Sequence, residues 1–267
     1  MSEKAVSGQS GKHVFLNQAT QWAREAGDEL LRYFRSDNLQ IATKFNQSDI
    51  VTAADKAAEK IIIGHINELY PDHSILSEES GSTSRDSRVR WVIDPLDGTT
   101  NFSEGLPLFS VSIAVEIDGT VAIGVVYAPR LNEMFHAIKG SGAWLNGHRI
   151  TVSHKTALNQ SVVATGFPVD KDTNPDNNLQ SAGRVLPTVR GLRRLGSAAL
   201  DLSYVGAGFL DGYWEINLHE WDVAAGALIA SEGGASVTRF RPDRNVSMLA
   251  STPGIHDSLL KLIKRDN

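Results

Sequence analysis

The chain contains no cysteine. Disulfide frameworks and thiol catalysis are therefore excluded. No apolar run reaches the ~18 residues that a membrane-spanning helix needs. Residues 1–12 are polar and lack the apolar core of a secretory signal, so they read as a disordered tail of a cytoplasmic protein. No basic block exceeds the pair Arg193-Arg194, and the net charge is −5. That balance argues against nucleic-acid binding as the main task. Neither an internal repeat nor a low-complexity segment interrupts the sequence. What remains is 267 residues, 41% hydrophobic and 21% charged. Such a chain suits a soluble protein of one large domain or two closely packed ones.

Phe15, Ala19, Trp22, Ala26, Leu30 and Tyr33 recur at helical spacing and predict a helix over residues 14–34. Residues 35–49 are polar and read as a short hairpin or a loop. A second helix is expected from near Thr52 to Pro71. Thr52 and Asp55 have the spacing of a capping box, with Asp in place of the usual Glu. Asp55 also falls in phase with Ala58, Ile62, Ile66 and Leu69. Its carboxylate should face inward, which is costly unless it is paired or metal-bound.

Residues 74–76 read as a strand that runs into Glu78-Glu79. Residues 91–93 read as a strand that ends at Pro95, because proline cannot donate to a ladder. If these strands are neighbours, Glu78 and Asp94 meet. Strands over 109–115, 121–127 and 133–138, with turns at Asp118-Gly119 and Asn146-Gly147, predict an antiparallel sheet. Gly140 and Gly142 read as turn residues, since no helix follows them. Beyond about residue 155 the pattern changes. Strands over 161–166, 191–196, 213–216, 235–240 and 248–251 alternate with helices over 174–186, 197–207, 223–231 and 255–264. This half reads as α/β. The expected organisation is a tail (1–12), an α+β half (13–155) and an α/β half (156–267), the two halves forming one catalytic unit.

The densest chemistry lies in Asp94-Pro95-Leu96-Asp97-Gly98-Thr99-Thr100. Two carboxylates stand three residues apart at a strand end, followed by a glycine and two hydroxyls. A turn of this kind can offer N–H and hydroxyl groups to an anion. The carboxylates are hard oxygen ligands suited to Mg²⁺. Taken alone, the string is also an ordinary Asx-rich turn with Thr99 or Asn101 as a helix cap. Asp222, ahead of an alanine-rich helix, is likewise an ordinary N-cap when taken alone.

The conjunction carries more. Asp55, Glu78-Glu79-Ser80, the string Trp91 to Phe102 and the string Trp221 to Gly226 occur together and in this order. That set resembles the inositol monophosphatase family. Residues 193–202, Arg-Arg-Leu-Gly-Ser-Ala-Ala-Leu-Asp-Leu, are similar to bacterial members of the inositol-1-monophosphatase, or extragenic suppressor, type. The resemblance runs from about Phe15 to Lys264.

The resemblance implies the layered αβαβα sandwich of the sugar-phosphatase superfamily, with the site between the two halves. It implies Mg²⁺-dependent hydrolysis of myo-inositol 1-phosphate or a similar small polyol phosphate, using two to three ions. Glu78, Asp94 and the Leu96 carbonyl match the ligands of one Mg²⁺, and Asp94, Asp97 and Asp222 those of a second. Asp55 matches a position that helps a third ion, largely through water. Glu78 and Thr99 would orient the attacking water, with Asp55 assisting. Gly98, Thr99 and Thr100 match the phosphate-holding turn. Arg193, Ser197, Ala198 and Glu215 match positions lining the alcohol side, and Leu96, Asp97 and Asp222 also reach the substrate. His219 reads as a solvated loop residue and not as the general acid. A homodimer and inhibition by Li⁺ are implied as well.

The same signatures serve fructose-1,6-bisphosphatases, histidinol-phosphatases and nucleotide 3′-phosphatases. Close bacterial relatives also have a regulatory role in RNA-polymerase and antitermination complexes. Physics adds one demand. Two carboxylates about 4 Å apart repel by roughly 4 kcal/mol at an effective dielectric near 20, so a cluster of them needs cations.

Overall fold

The spacing of Phe15, Ala19, Trp22, Ala26 and Leu30 does produce a helix. The computed structural model describes residues 8–37, 39–44 and 50–264. In it α1 spans Gln9–Tyr33 and buries all five of these side chains. The helix opens five residues before Val14, so residues 9–12 of the expected tail are helical, and residues 1–7 lie outside the described residues. Helix α2 spans Ala53–Leu69 behind the N-cap Thr52. Ala58, Ile62 and Ile66 are fully buried, whereas Leu69 is 51% exposed. The inward face thus ends one turn before the helix does. Strands β1 (Ala42–Thr43) and β2 (Ile50–Val51) pair antiparallel. The hairpin reading of that stretch holds at its two ends, while residues 45–49 between them lie outside the described residues.

The first large sheet is built from β3 (Ser74–Ser77), β4 (Gly81–Thr83), β5 (Val89–Asp97), β6 (Ser110–Ile117), β7 (Thr120–Ala128), β8 (Glu133–Ile138), β9 (Ala143–Leu145) and β10 (His148–Ile150). Its order is β10-β9-β8-β7-β6-β5-β3-β4. Every neighbouring pair is antiparallel except β3 and β5. The two hairpin turns have the backbone that their sequences call for. Asp118 and Gly119 lie at φ 53° and 70°, and Asn146 and Gly147 at 48° and 81°. Positive φ at both central residues matches the right-handed strand twist. Gly140 and Gly142 are turn residues too, their N–H groups donating to Glu232 at 2.7 and 2.8 Å.

Both faces of this sheet are covered, so successive residues of β5 serve different cores. Trp91 and Ile93 pack beneath α1 and α2, with Phe15 and Trp22. Val92 packs on the opposite side, with Ala199 of α5 (Ala198–Gly206) and Ile229 of α6 (Glu220–Glu232). Helix α6 lies directly on the strands. A Cβ at Gly124 of β7 would fall 2.7 Å from the Ala225 carbonyl oxygen.

The second sheet contains β11 (Val162–Thr165), β12 (Gly191–Arg193), β13 (Gly212–Leu218), β14 (Ser236–Arg241) and β15 (Val246–Ser251), in the order β12-β11-β13-β15-β14. The first three strands are mutually parallel, and β15 is antiparallel to both β13 and β14. One face packs on α5 and α6. The other packs on α4 (Leu179–Val185) and α7 (His256–Ile263). Five layers result, helix, sheet, helix, sheet, helix, as the resemblance implied.

Two elements are shorter than their patterns suggested. The helix expected over 174–186 begins only at Leu179. Asn178 precedes it at φ 71° and buries its amide. That amide donates to Thr165 Oγ1 and the Gly166 carbonyl and accepts from Trp214 Nε1. These contacts fix the backbone in a left-handed conformation that no helix interior tolerates. The strand expected over 191–196 ends at Arg193. Gly196, at φ 91°, then turns the chain toward α5. Among the described residues no helix is long and apolar enough to cross a membrane.

Candidate active site

The parallel pairing of β3 with β5 sets the site. Ser77 lies opposite Ile93, and the Glu78 amide donates to the Ile93 carbonyl at 3.2 Å. Glu78 therefore leaves the end of β3 beside Asp94 on β5, and its charge acts on the Asp94 carboxyl. Strand β5 does not stop at Pro95 as expected. It continues to Asp97, with its pairing to β6 irregular between Asp94 and Asp97. The missing N–H of proline falls inside that bulge, where the ladder is already interrupted. The bulge also brings the Leu96 amide to Asp94 Oδ1, to which it donates at 3.0 Å.

Three helix starts converge on this strand end. Gly98 occupies the N-cap of α3 (Thr99–Ser103) at φ 98°, so Gly98 is the cap that Thr99 or Asn101 was expected to be. Asn101 instead joins the two halves of the fold. Its Nδ2 donates to the Leu108 carbonyl at 2.6 Å and to the Leu195 carbonyl at 2.7 Å. Asp97 sits at the start of α5. It accepts from Ser197 Oγ at 2.6 Å and from the Ala199 and Ala198 amides at 2.8 and 3.2 Å. Asp222 lies in the first turn of α6 and accepts from the His219 amide at 2.7 Å. The His219 ring stacks on Trp221.

Asp55 reaches the cluster through Thr99. It accepts from the Thr52 amide and hydroxyl at 2.8 and 2.6 Å, which closes the capping box. Its other oxygen accepts from Thr99 Oγ1 at 3.1 Å, and the same hydroxyl lies 3.0 Å from the Leu96 carbonyl. Cap and site roles coincide in this one fully buried carboxyl.

The electrostatics are those of an acidic cavity. Burial raises Asp94 well above the carboxylate range, and the charges of Glu78, Asp97 and Asp222 add to it. Asp222 is raised by burial and then by Asp97. Burial pushes Asp97 up to about 6, against the hydrogen bonds from Ser197, Ala199 and Ala198. Asp55 is raised by burial as well. One cation answers this charge. Lys44 Nζ lies 2.8 Å from Glu78 and 2.5 Å from Glu79. Burial opposes its charge, but the two glutamates hold its pKa above the usual lysine range. Burial raises Glu79 to about 7 despite Lys44.

On the far side stands Glu215 of β13. It accepts from Tyr213 Oη at 2.6 Å, and burial pushes it up to about 7. Arg193 does not join this side, since its guanidinium donates back to the Leu192 carbonyl at 3.1 Å. Arg194 is the arginine whose charge reaches Glu215 and Asp201. Asp201 is 1% exposed, and its Oδ1 has no hydrogen-bond partner among the described residues. A lone Asp within the apolar stretch Ala198 to Leu202 is the signal in the sequence that could have marked it. Lys44 had no comparable signal, because its partners lie 34 and 35 residues away.

The donor set can be weighed against a divalent cation. Glu78, Asp94, Asp97, Asp222 and the Leu96 carbonyl offer only hard oxygens, which suits Mg²⁺ and not a soft metal. The Glu78 charge acting on buried Asp94 calls for a proton or a cation to offset it. The Lys44 ammonium already serves as a stand-in on the Glu78 side. As the side chains are placed, no three acidic or histidine groups converge on a single point among the described residues. The chemistry fits a hard cation, and the Glu78 carboxylate is engaged by Lys44.

An αβαβα sandwich with buried carboxylates where its middle helices meet a strand end belongs with the sugar-phosphatase folds. The chain is a member of the inositol monophosphatase family, whose model matches residues 12–265. It is 44% identical over 255 residues to Nus factor SuhB of Pasteurella multocida, covering 93% of this chain and 95% of that one. It is 40% identical over 260 residues to an inositol-1-monophosphatase of Mesorhizobium japonicum, covering 95% and 97%. The crystal structure of extragenic suppressor protein suhB from Bartonella henselae superposes with a TM-score of 0.89 at 40% identity, covering 95% of this chain and 100% of that one. The family is one of phosphatases that are generally Mg²⁺-dependent.

Proposed function

We propose that this protein is a Mg²⁺-dependent phosphomonoesterase that hydrolyses myo-inositol 1-phosphate, or a similar small polyol phosphate, to the alcohol and inorganic phosphate. The observation that carries the reading is the buried pair Asp94 and Asp97, with the charges of Glu78 and Asp222 also acting on Asp94. Such a cluster is unstable without cations.

In this reading Glu78, Asp94 and the Leu96 carbonyl would hold one ion, Asp94, Asp97 and Asp222 would hold a second, and Asp55 would help a third. Bound Mg²⁺ supplies an activated water and neutralises charge on the phosphoryl group. Glu78 and the Thr99 hydroxyl orient the attacking water in line with the bond to be broken. Thr99 lies between Asp55 and the Leu96 carbonyl, so Asp55 fixes that hydroxyl and assists proton removal. Gly98, Thr99 and Thr100 hold the phosphoryl oxygens. Glu215, Ser197 and Ala198 line the alcohol side, with Arg194 in the place first given to Arg193. Water protonates the departing alkoxide, and His219 has no part in the step. The active unit is a homodimer, and Li⁺ inhibits by competing for a carboxylate site.

A panel of phosphate esters, assayed for phosphate release with and without Mg²⁺ and with millimolar Li⁺, tests this. Release led by inositol 1-phosphate is expected. Release led by fructose 1,6-bisphosphate, histidinol phosphate or a nucleotide 3′-phosphate would move the substrate and keep the site.

A second reading is favoured by the name Nus factor SuhB carried by a 44% identical relative. In it the protein also binds a transcription complex, independently of turnover. A pull-down with the Asp94→Asn variant addresses this, since partners retained without activity require a separate surface.

A further inference from the structure

Glu59 carries a carboxylate that the hydrolytic scheme does not use. It is 8% exposed and lies on α2, one turn beyond Asp55. A buried carboxylate needs donors, and Glu59 finds three, all on Oε1. The Ser77 hydroxyl donates to it through a short bond. The Ser80 amide donates at 3.0 Å and the Ser80 hydroxyl at 3.1 Å.

These donors are informative because of where they stand. Ser77 ends β3, and Ser80 immediately precedes β4. Between them lie only Glu78 and Glu79. A single oxygen therefore gathers both ends of the turn that presents the acidic pair. Apolar packing does not fix this turn, for Glu78 and Glu79 are its only interior residues. Helix α2 thereby carries two carboxylates with separate tasks. Asp55 faces Thr99, and Glu59 faces the turn beneath Glu78.

We propose that Glu59 is a positioning residue: by holding Ser77 and Ser80 it fixes the turn that carries the Glu78 carboxylate beside the part of β5 that bears Asp94, and so sets the affinity of the site for Mg²⁺. This rests on the metal-dependent reading of the site.

The test is Mg²⁺ binding by titration calorimetry at fixed pH on the full-length chain, with the metal-free melting temperature measured in parallel. Glu59→Gln retains a carbonyl oxygen that can accept the same donors, and its Kd should stay within about threefold of wild type. Glu59→Ala removes the acceptor and should raise Kd about tenfold or more, which is about 1.4 kcal/mol. A role confined to folding would instead lower the metal-free melting temperature and leave the Kd of the folded protein unchanged.

Should Glu59→Ala fail to fold, the double variant Ser77→Ala with Ser80→Ala removes both hydroxyls from the opposite side. It should raise Kd severalfold. Wild-type affinity in whichever of these variants folds would overturn the proposal while leaving the metal-dependent reading intact. A wild-type protein that binds no Mg²⁺ would overturn that reading and this proposal together.

Discussion

Chelating the metal should reverse the way stability depends on pH. In the metal-free protein Asp97 moves from an ordinary value of 3.8 to about 6. Glu79 and Glu215 each move from 4.5 to about 7. Between these limits the folded chain binds more protons than the unfolded one. Stability is therefore full below about pH 4 for these groups and is lost as pH rises through 6 to 7. Asp94 and Asp222 act in the same sense. His73 opposes them, since burial lowers it from 6.5 to about 4 and it favours the fold as pH rises. It is partly exposed, and its contribution is correspondingly discounted.

For Asp97 the difference, about 6 less 3.8, corresponds to roughly 3 kcal/mol. At about pH 5 the unfolded carboxyl is already ionised, so roughly 1.4 kcal/mol of this remains to be lost by about pH 7.5. Taking that single share as the net effect, and about 2–4 °C per kcal/mol for a chain near this size, the melting temperature should fall on the order of 3–6 °C. The assay is thermal unfolding in EDTA at about pH 5 and about pH 7.5, repeated with saturating Mg²⁺. If, as proposed, Mg²⁺ binds the folded carboxylates and not the unfolded ones, it should abolish or invert the decline. A chelated protein that melts higher at pH 7.5 than at pH 5 would refute the reasoning. So would a melting temperature at pH 7.5 that ignores Mg²⁺.

Two glycines make sharper local predictions. Gly98→Ala places a side chain at φ 98°, with its Cβ 3.0 Å from the Leu108 carbonyl oxygen and 3.1 Å from that of Gly196. It should destabilise by about 1–3 kcal/mol and lower kcat, as read by thermal melts and steady-state kinetics. Gly166→Ala places a Cβ 1.9 Å from Glu215 Oε2. It should displace that carboxylate and raise KM for the polyol ester severalfold, with the Mg²⁺ requirement unchanged. An unaltered KM would remove Glu215 from the alcohol side.

Features that rest on local rules could be read directly from the sequence. The Asp118-Gly119 and Asn146-Gly147 turns needed only residues that accept positive φ. The Thr52 and Asp55 box needed only its spacing. The strands that bring Glu78 and Asp94 side by side followed from short apolar runs, and the family signatures pointed to Asp97 and Asp222 near them.

What escaped depends on distant partners. Pro95 suggested a strand end, but the bulge opposite Ser110 and Ser112 absorbs its missing N–H. Asn178 breaks a helical pattern because its amide is claimed by Thr165, Gly166 and Trp214. Of two adjacent arginines, local pattern cannot tell which one turns toward Glu215. Lys44 sits in a polar segment whose composition says nothing of the glutamates it meets. The carboxylates that the fold brings together were legible, while the groups that hold and counter them required the packed structure.

The central claim is that Asp94 belongs to a cation site on which hydrolysis depends. The most direct measurement is Mg²⁺-dependent phosphate release from inositol 1-phosphate by wild type and by Asp94→Asn, with circular dichroism to confirm that both are folded. The account predicts release by wild type only with Mg²⁺, and nearly complete loss in the folded variant. Wild-type kcat in Asp94→Asn, or release by wild type that persists in EDTA, would contradict it.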